Sequence, residues 1–328
     1  MCTGLTITTQ NQQVLFARTM DFVHHLEGQP AISPRRYYWE SRVDYEGETL
    51  YGFMGTGCQM DGFIFGDGVN EHGLAASNQY FRGNSSYATE VVEGSINIAP
   101  SEVLNWILGY NKDIAELETN ADQVNVVAYK LDDIGEVPPL HYHVADATGR
   151  SVEVMFVEGK LKINDNPVGV LTNNPNLEWH YENLRNYSHL KPYKPEPNTF
   201  GNQTFEVHGN EGGTQGLPGG FSSPERFVRA AYLKHHLVSD MPESATFWAA
   251  FKILDAVSIP RGAVRPDGEE IHYTMYQTVI NLTTRTLYCK HYSSNQIVEL
   301  EMSEELLEAD EMTFYQPVED VTTVKLNG

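Results

Sequence analysis

The sequence predicts an α+β fold, on three observations. Segments rich in β-branched and apolar residues group early in the chain and return near its end. Helix-type segments collect between them, an order that fits packed α and β layers better than alternating βαβ units. No repeat or interdomain linker interrupts the 328 residues, so one domain spanning 1–328 is expected.

The first 22 residues read as a β-hairpin, with Leu5–Thr9 and Val14–Met20 joined by the polar turn Gln10-Asn11-Gln12-Gln13. A second strand pair, from about Phe65 to Phe81, flanks Asn70-Glu71-His72-Gly73. A third flanks Asp146-Ala147-Thr148-Gly149 and pairs Leu140–Ala145 with Val152–Val157. Val168–Thr172 reads as a short buried strand that runs into Asn173-Asn174-Pro175. Late in the chain, Tyr273–Leu282 and Thr286–Tyr292 form one more hairpin about Thr283-Thr284-Arg285.

Among the helices, Ser101 can cap Glu102–Tyr110, where Val103, Trp106, Ile107 and Tyr110 recur at helical spacing. Asn176–Tyr187 carries Leu177, Tyr181 and Leu184 on one face. Ser223 followed by Pro224 is a start signal, because proline fits the first helical position; it opens Glu225–Leu237 with Phe227, Ala230, Ala231 and Leu233 as core. Glu243–Val257 is the longest apolar helix. Lys191–Gly220, rich in Pro, Gly and Asn, reads as a long surface excursion of the kind that carries function or assembly. The acidic run from Glu299 to Glu311 reads as a solvated face.

Lys and Arg number 22 against 44 Asp and Glu, a formal net charge of −22. That balance argues against nucleic acid and against anionic membranes, since no basic stripe offsets phosphate repulsion. No apolar run reaches the ~18 residues needed to span a bilayer. MCTGLTITTQ lacks the basic start and apolar stretch of a secretory signal, so a cytoplasmic location is expected. Cys2, Cys58 and Cys289 are odd in number and widely spaced, which suggests no disulfide framework.

Cys2 is the most informative residue. A thiol attacks only as thiolate, and its free pKa is about 8.5. Removal of Met1, plausible because the second side chain is small, would leave a free α-amine with a pKa of about 7.7–8 on the same residue. That amine could serve as the base other hydrolases take from histidine. With Met1 in place the nitrogen is an amide and has no basicity. Pairing across the first turn brings Arg18 and Asp21 close to the start of the first strand. There arginine would stabilise a thiolate and aspartate would orient an ammonium. Asn173, at the end of a buried-type strand, is placed to supply an oxyanion donor.

Four ordered blocks carry a resemblance: MCTGLTITT with LFARTMDF, then VNEHGLAASNQYF, then GVLTNNPNLEWHYENLRNY, then GLPGGFSSPERFVRAAY. They resemble the choloylglycine hydrolase family, N-terminal nucleophile amidases that include penicillin V acylases and conjugated bile salt hydrolases. The resemblance runs from residue 2 to about residue 260. It implies a four-layer αββα sandwich and the cleavage of a small-molecule N-acyl amide without metal or organic cofactor. It further implies Cys2 as nucleophile and base, Arg18 beside the thiol, Asp21 holding the amine and Asn173 donating to the oxyanion. Arg226 would be the second active-site arginine, with Arg229 three residues on as its rival. The Tyr80 N–H would complete the oxyanion hole, and Met20 and Tyr80 would line the substrate site. Homotetramers are common in the family, and the 191–220 excursion fits their assembly loop.

Tyr80 falls where penicillin V acylases carry tyrosine and bile salt hydrolases typically carry asparagine, which favours an acylase with a flat aromatic acyl group. Bile salt hydrolase and N-acyl homoserine lactone acylase are the alternatives. A non-catalytic carrier that retains Met1 is the rival from another class. Two further rivals are a metal hydrolase built from His24-His25, His141 with His143, and His235-His236, and a thiol enzyme using Cys58. None of these histidines forms a known helical ligand motif, and Cys58 and Cys289 are expected to be inert. Gly209-Asn210-Glu211-Gly212-Gly213 follows no strand and lacks the lysine of a phosphate loop, so it reads as a turn.

Overall fold

The computed structural model describes every residue except 25, 239–241, 243–244 and 327–328. In chain order, the strands of its two large sheets are β1 (Cys2–Thr8), β2 (Val14–Phe22), β3 (Gln29–Ser33), β4 (Phe53–Gln59) and β5 (Phe63–Asn70). Next come β6 (Ala75–Tyr80), β7 (Leu140–Ala145), β8 (Ser151–Val157), β9 (Lys160–Asp165) and β10 (Val170–Leu171). Last are β11 (Tyr273–Asn281), β12 (Thr286–His291), β13 (Val298–Glu301) and β14 (Thr313–Phe314). The six-stranded sheet runs β10-β1-β2-β11-β12-β13, and the eight-stranded sheet runs β9-β8-β7-β6-β5-β4-β3-β14. All of these pairings are antiparallel.

The layering follows from the two-residue period of the strands. On β2, Val14, Phe16 and Met20 face the other sheet, whereas Leu15 and Ala17 face helices. Those helices are α3 (Leu177–Leu184), α4 (Ser223–His235) and α5 (Thr246–Val257). They cover the six-stranded sheet through Leu177, Phe227, Phe251 and Leu254. The eight-stranded sheet is covered by α1 (Val103–Tyr110) and α2 (Ile114–Asn120), with Trp106, Ile107 and Leu117 against Phe53, Tyr142 and Phe156. The result is helix, sheet, sheet, helix: the αββα sandwich that the resemblance implied.

The sheets approach closely at Gly4, where a Cβ would lie 2.7 Å from His143 Nδ1 of β7, so this residue of the first strand needs to be glycine. Two helix starts differ from the sequence expectation. Ser101 does not cap α1; a 3-10 turn at Pro100–Glu102 precedes the helix, and the Glu102 carboxylate accepts the Ala99 N–H at 2.8 Å. Ser222, not Ser223, caps α4, through a reciprocal pairing with Glu225. The expected first residue of the last long helix, Glu243, lies outside the described residues, and α5 begins at Thr246.

Gly55-Thr56-Gly57-Cys58 reads from the sequence as a loop, but the structure places it inside β4. Here Gly55 is required, since a Cβ there would collide with Asp67 O of the neighbouring strand. The acidic tail is more than a solvated face. Glu304 and Glu308 accept hydrogen bonds from Arg35 at 2.9 and 2.8 Å, tying the tail to the end of β3. Phe251 is fully buried between α5 and the sheet. Phe251→Ala is expected to cost about 3–5 kcal/mol and to lower the urea midpoint accordingly; an unchanged midpoint would contradict this packing.

Candidate active site

The register of the first hairpin sets Cys2 opposite Met20 and Gly4 opposite Arg18. Arg18 points between the sheets and is fully buried. Its Nη2 donates to Cys2 Sγ at 2.9 Å and to Asn78 O at 3.3 Å, and its Nη1 donates to Gly66 O at 2.7 Å. Asp67 Oδ2 lies 3.7 Å from Nη1 and accepts from Thr56 and Thr278. Burial works against the charge on Arg18, but Cys2, Tyr276 and Asp67 outweigh it and push its pKa up. Arg18 is therefore a fixed cation hydrogen-bonded to the sulfur. Gly66 leaves room for it, since a Cβ there would lie 3.3 Å from Nη1 and 2.9 Å from Met20 Cε.

Asn173 approaches Cys2 from the other side, just beyond β10. Its Oδ1 accepts from Cys2 N at 2.9 Å and from Arg226 Nη2 at 2.8 Å. Its Nδ2 donates to Tyr80 O at 2.8 Å. Arg226, fully buried in the first turn of α4, also donates through Nη1 to Cys2 O and Thr3 Oγ1, each at 2.6 Å. Arg229 points elsewhere and holds Ala256 O, Pro218 O and Gly220 O. Geometry thus chooses Arg226 from the pair.

Asp21 lies beside the same backbone, and while Met1 is in place its carboxylate is held by side chains. Its carboxylate accepts from Thr274 Oγ1 at 2.5 Å and Thr19 Oγ1 at 3.0 Å and lies 3.9 Å from Arg226 Nη1. The hydrogen of Cys2 N goes to Asn173 instead, because a peptide nitrogen has only one to give. With Met1 in place, the chain's α-amine donates to the backbone oxygen of Asp21 at 2.5 Å. Burial, reinforced by Arg226 and Arg18 against the pull of Cys2 and Asp21, holds this amine below its ordinary pKa.

Cys2, Met20 and Tyr80 line an apolar cleft of about 640 Å³ including its mouth, walled further by Phe22, Met60, Ile64, Leu131 and Ile134. A more polar vestibule adjoins it and shares Phe22, Tyr80 and Ile134. The Tyr80 ring packs against Phe22 with centroids 5.1 Å apart. Cys58 also lines the cleft, but burial pushes its thiol up to about 12. Buried Cys289 is displaced upward in the same way.

The histidines of the metal rival are dispersed into other contacts. His141 bonds Glu153, whereas His143 bonds Thr6 and Ser151 and is pushed down to about 3 by burial. His25 lies outside the described residues. Among the described residues, no group of three His, Cys, Asp or Glu is disposed to hold a metal.

Sequence reasoning missed several residues around the site. Ser223, read as a cap, instead accepts from Asn173 N at 2.9 Å. Thr274 meets Asp21 from a strand more than 250 positions away in sequence, and no local signal marked it. His141, singled out in the sequence only for a metal site, instead bonds Thr172 O and Glu153.

Paired sheets between helix layers, with a cysteine on the first strand facing a buried arginine, define an N-terminal nucleophile hydrolase. A sequence model described as linear amide C-N hydrolases, choloylglycine hydrolase family, matches residues 2–315, and the chain belongs to that family of amide hydrolases. It is 31% identical over 318 residues to a bile salt hydrolase/transferase of Clostridium perfringens, covering 96% of this chain and 97% of the relative. A crystal structure of a mutant conjugated bile acid hydrolase from the same organism superposes with a TM-score of 0.90 at 30% identity over all of both chains. A penicillin V acylase of Pectobacterium atrosepticum is 25% identical over 232 residues, covering 66% of this chain and 56% of that protein.

At pH 8 a Cys58 thiol displaced to about 12 is ionised in only about one molecule in ten thousand. An alkylating reagent is therefore expected to modify Cys2 well ahead of Cys58, as read by peptide mapping. Prior modification of Cys58 with parallel loss of turnover would return Cys58 to candidacy.

Proposed function

We propose that the chain hydrolyses conjugated bile acid amides through a Cys2 thioester, after Met1 is removed. The observation that carries this reading is the sulfur of Cys2 on the wall of an apolar cleft, with Arg18 Nη2 at 2.9 Å and the Cys2 nitrogen held by Asn173. In the reaction, Sγ attacks the amide carbonyl while the freed α-amine takes the thiol proton. The C–N bond breaks as that proton passes to the leaving nitrogen, and water then hydrolyses the thioester with the same amine as base.

Two donors are available for the oxyanion. The Asn173 amide has two hydrogens and spends one on Tyr80 O, leaving the other. In a strand, a residue's N–H and C=O point to the same side. The Tyr80 N–H therefore points to the side on which its carbonyl meets Asn173. Asp21, with its partners Thr19 and Thr274, would gain the new ammonium once Met1 no longer fills that space.

For the substrate, likeness to bile salt hydrolases over nearly the whole chain supports bile acid amides ahead of penicillin V, reversing the order that Tyr80 suggested. One residue on the wall is a weaker guide than the apolar lining of the cleft as a whole, which suits a hydrocarbon skeleton. The second reading, penicillin V acylase, rests on the Tyr80 and Phe22 rings, which would stack on a flat aromatic acyl group. Assembly through the 191–220 excursion is supported by its exposed hairpin, where Phe200 and Phe205 stand in solvent.

Side-by-side turnover of a glycine-conjugated bile acid, penicillin V and a long-chain acyl homoserine lactone is expected to favour the bile acid; a clear preference for penicillin V would reinstate the second reading. Intact mass of active protein is expected to lack one methionine, and active protein that retains it would remove the amine base. Asn173→Ala should slow turnover a hundredfold or more, in line with the ~2.7–4 kcal/mol of one oxyanion donor. The base works only when neutral, so kcat/KM should rise with pH as the amine loses its proton. A kcat/KM that stays flat with pH through the ordinary amine range of ~7.7–8 and below would count against the amine as base.

A further inference from the structure

The backbone that carries Asn173 is gripped from three directions by side chains outside the reacting set. Ser223 Oγ accepts Asn173 N–H at 2.9 Å. His180 Nε2 meets Asn173 O at 3.0 Å, with its ring stacked on Phe227 at 4.4 Å. His141 Nε2 meets Thr172 O at 3.0 Å, one residue before Asn173. A carbonyl only accepts, so each of these histidines carries a hydrogen on Nε2.

His141 differs from His180 in what its second nitrogen faces. Nδ1 lies 2.7 Å from Glu153 Oε1, and the other Glu153 oxygen accepts from Asn164 at 3.0 Å. His141 and Glu153 are each 1% exposed. Burial alone would raise the Glu153 carboxyl, but hydrogen bonds from His141 and Asn164 outweigh it and hold the carboxyl below its usual range. Both ring nitrogens thus face acceptors, the arrangement in which an imidazolium is balanced by a carboxylate.

The same ring also touches the other half of the oxyanion site. It stacks on Phe81, centroids 4.1 Å apart and planes 7° off parallel, and Phe81 directly follows Tyr80. β7 pairs with β6 so that His141 lies opposite Gln79 and Leu140 opposite Tyr80. One buried ring thus contacts the Thr172–Asn173 backbone through a hydrogen bond and the Tyr80–Phe81 segment through stacking.

We propose that the buried His141–Glu153 ion pair is a positioning device that fixes the Asn173 amide and the Tyr80 N–H at the spacing an oxyanion requires. This rests on the hydrolase reading above. The pair never touches substrate; it acts through Asn173 and Tyr80. Its removal should therefore affect the transition state, in which charge on the oxygen develops, more than the ground state. Glu153→Gln keeps size and removes the counter-charge.

The test combines kinetics with nitrogen NMR of histidine-labelled protein at pH 7. In the parent protein both His141 nitrogens should carry hydrogens, with a strongly deshielded Nδ1 proton that disappears in Glu153→Gln. That variant should lose kcat on the order of a hundredfold with KM nearly unchanged, the scale of a slight misplacement of a catalytic group. Its Asn173 side-chain amide resonances should also shift. A singly protonated His141 in the parent overturns the proposal without any variant, so a misfolded Glu153→Gln leaves it testable. Unchanged kcat in a folded variant, or a loss confined to KM, overturns it as well. If the parent protein cleaves no amide, the hydrolase reading fails, while the His141 and Asn173 resonances still decide the positioning claim.

Discussion

A cation buried between two sheets is the constraint on which this structure depends. The Arg18 guanidinium has no access to water, and leaving any of its donors unmet there would be costly. Backbone oxygens of Thr19, Gly66 and Asn78 and the sulfur of Cys2 satisfy it, with the Asp67 carboxylate at 3.7 Å. Each partner comes from a strand whose place is set by sheet pairing. The register of β1 with β2, the absence of a side chain at Gly66 and the acid at position 67 therefore serve a single requirement. The sulfur is part of that arrangement, and the feature that stabilises the buried charge also points it at the nucleophile.

Arg226 has the complementary task of binding the backbone around the nucleophile. It links Cys2 O, Thr3 Oγ1 and Asn173 Oδ1, joining the first strand to the segment after β10. Arg229, one turn further on, meets Ala256 O near the end of α5, where a cation near a helix C-terminus is favourable, and the loop at 218–220. Two arginines on one helix therefore divide into one that faces the sheet and one that secures the helix layer. The buried His141–Glu153 pair lies on the opposite sheet. The site is thus assembled from ion pairs placed between apolar layers rather than from one mobile loop.

Much of the architecture was legible because it is local. The hairpins at 2–22, 140–157 and 273–291 have short turns between strand-rich runs, and they formed as read. The resemblance blocks placed Cys2, Arg18, Asn173 and Arg226, which do converge. Errors clustered where two signals compete. Ser222 and Ser223 both suit a helix cap, and only packing against Asn173 assigns one to the helix and the other to the site. Gly55-Thr56-Gly57-Cys58 reads as a loop, yet it lies in a strand whose close neighbour demands Gly55.

By itself the sequence determined the sheet-and-helix order and the nearness of Arg18 to Cys2 across the first hairpin, because side-chain period, turn chemistry and residue type are encoded within short stretches. Only the tertiary structure decided which arginine of α4 reaches Cys2 and that the Asp21 carboxylate is held by Thr274. It also decided that Met60, Leu131 and Ile134 wall the cleft beside Cys2. These contacts join residues tens to hundreds of positions apart, and their distances follow from how two sheets pack, which no short stretch of chain specifies.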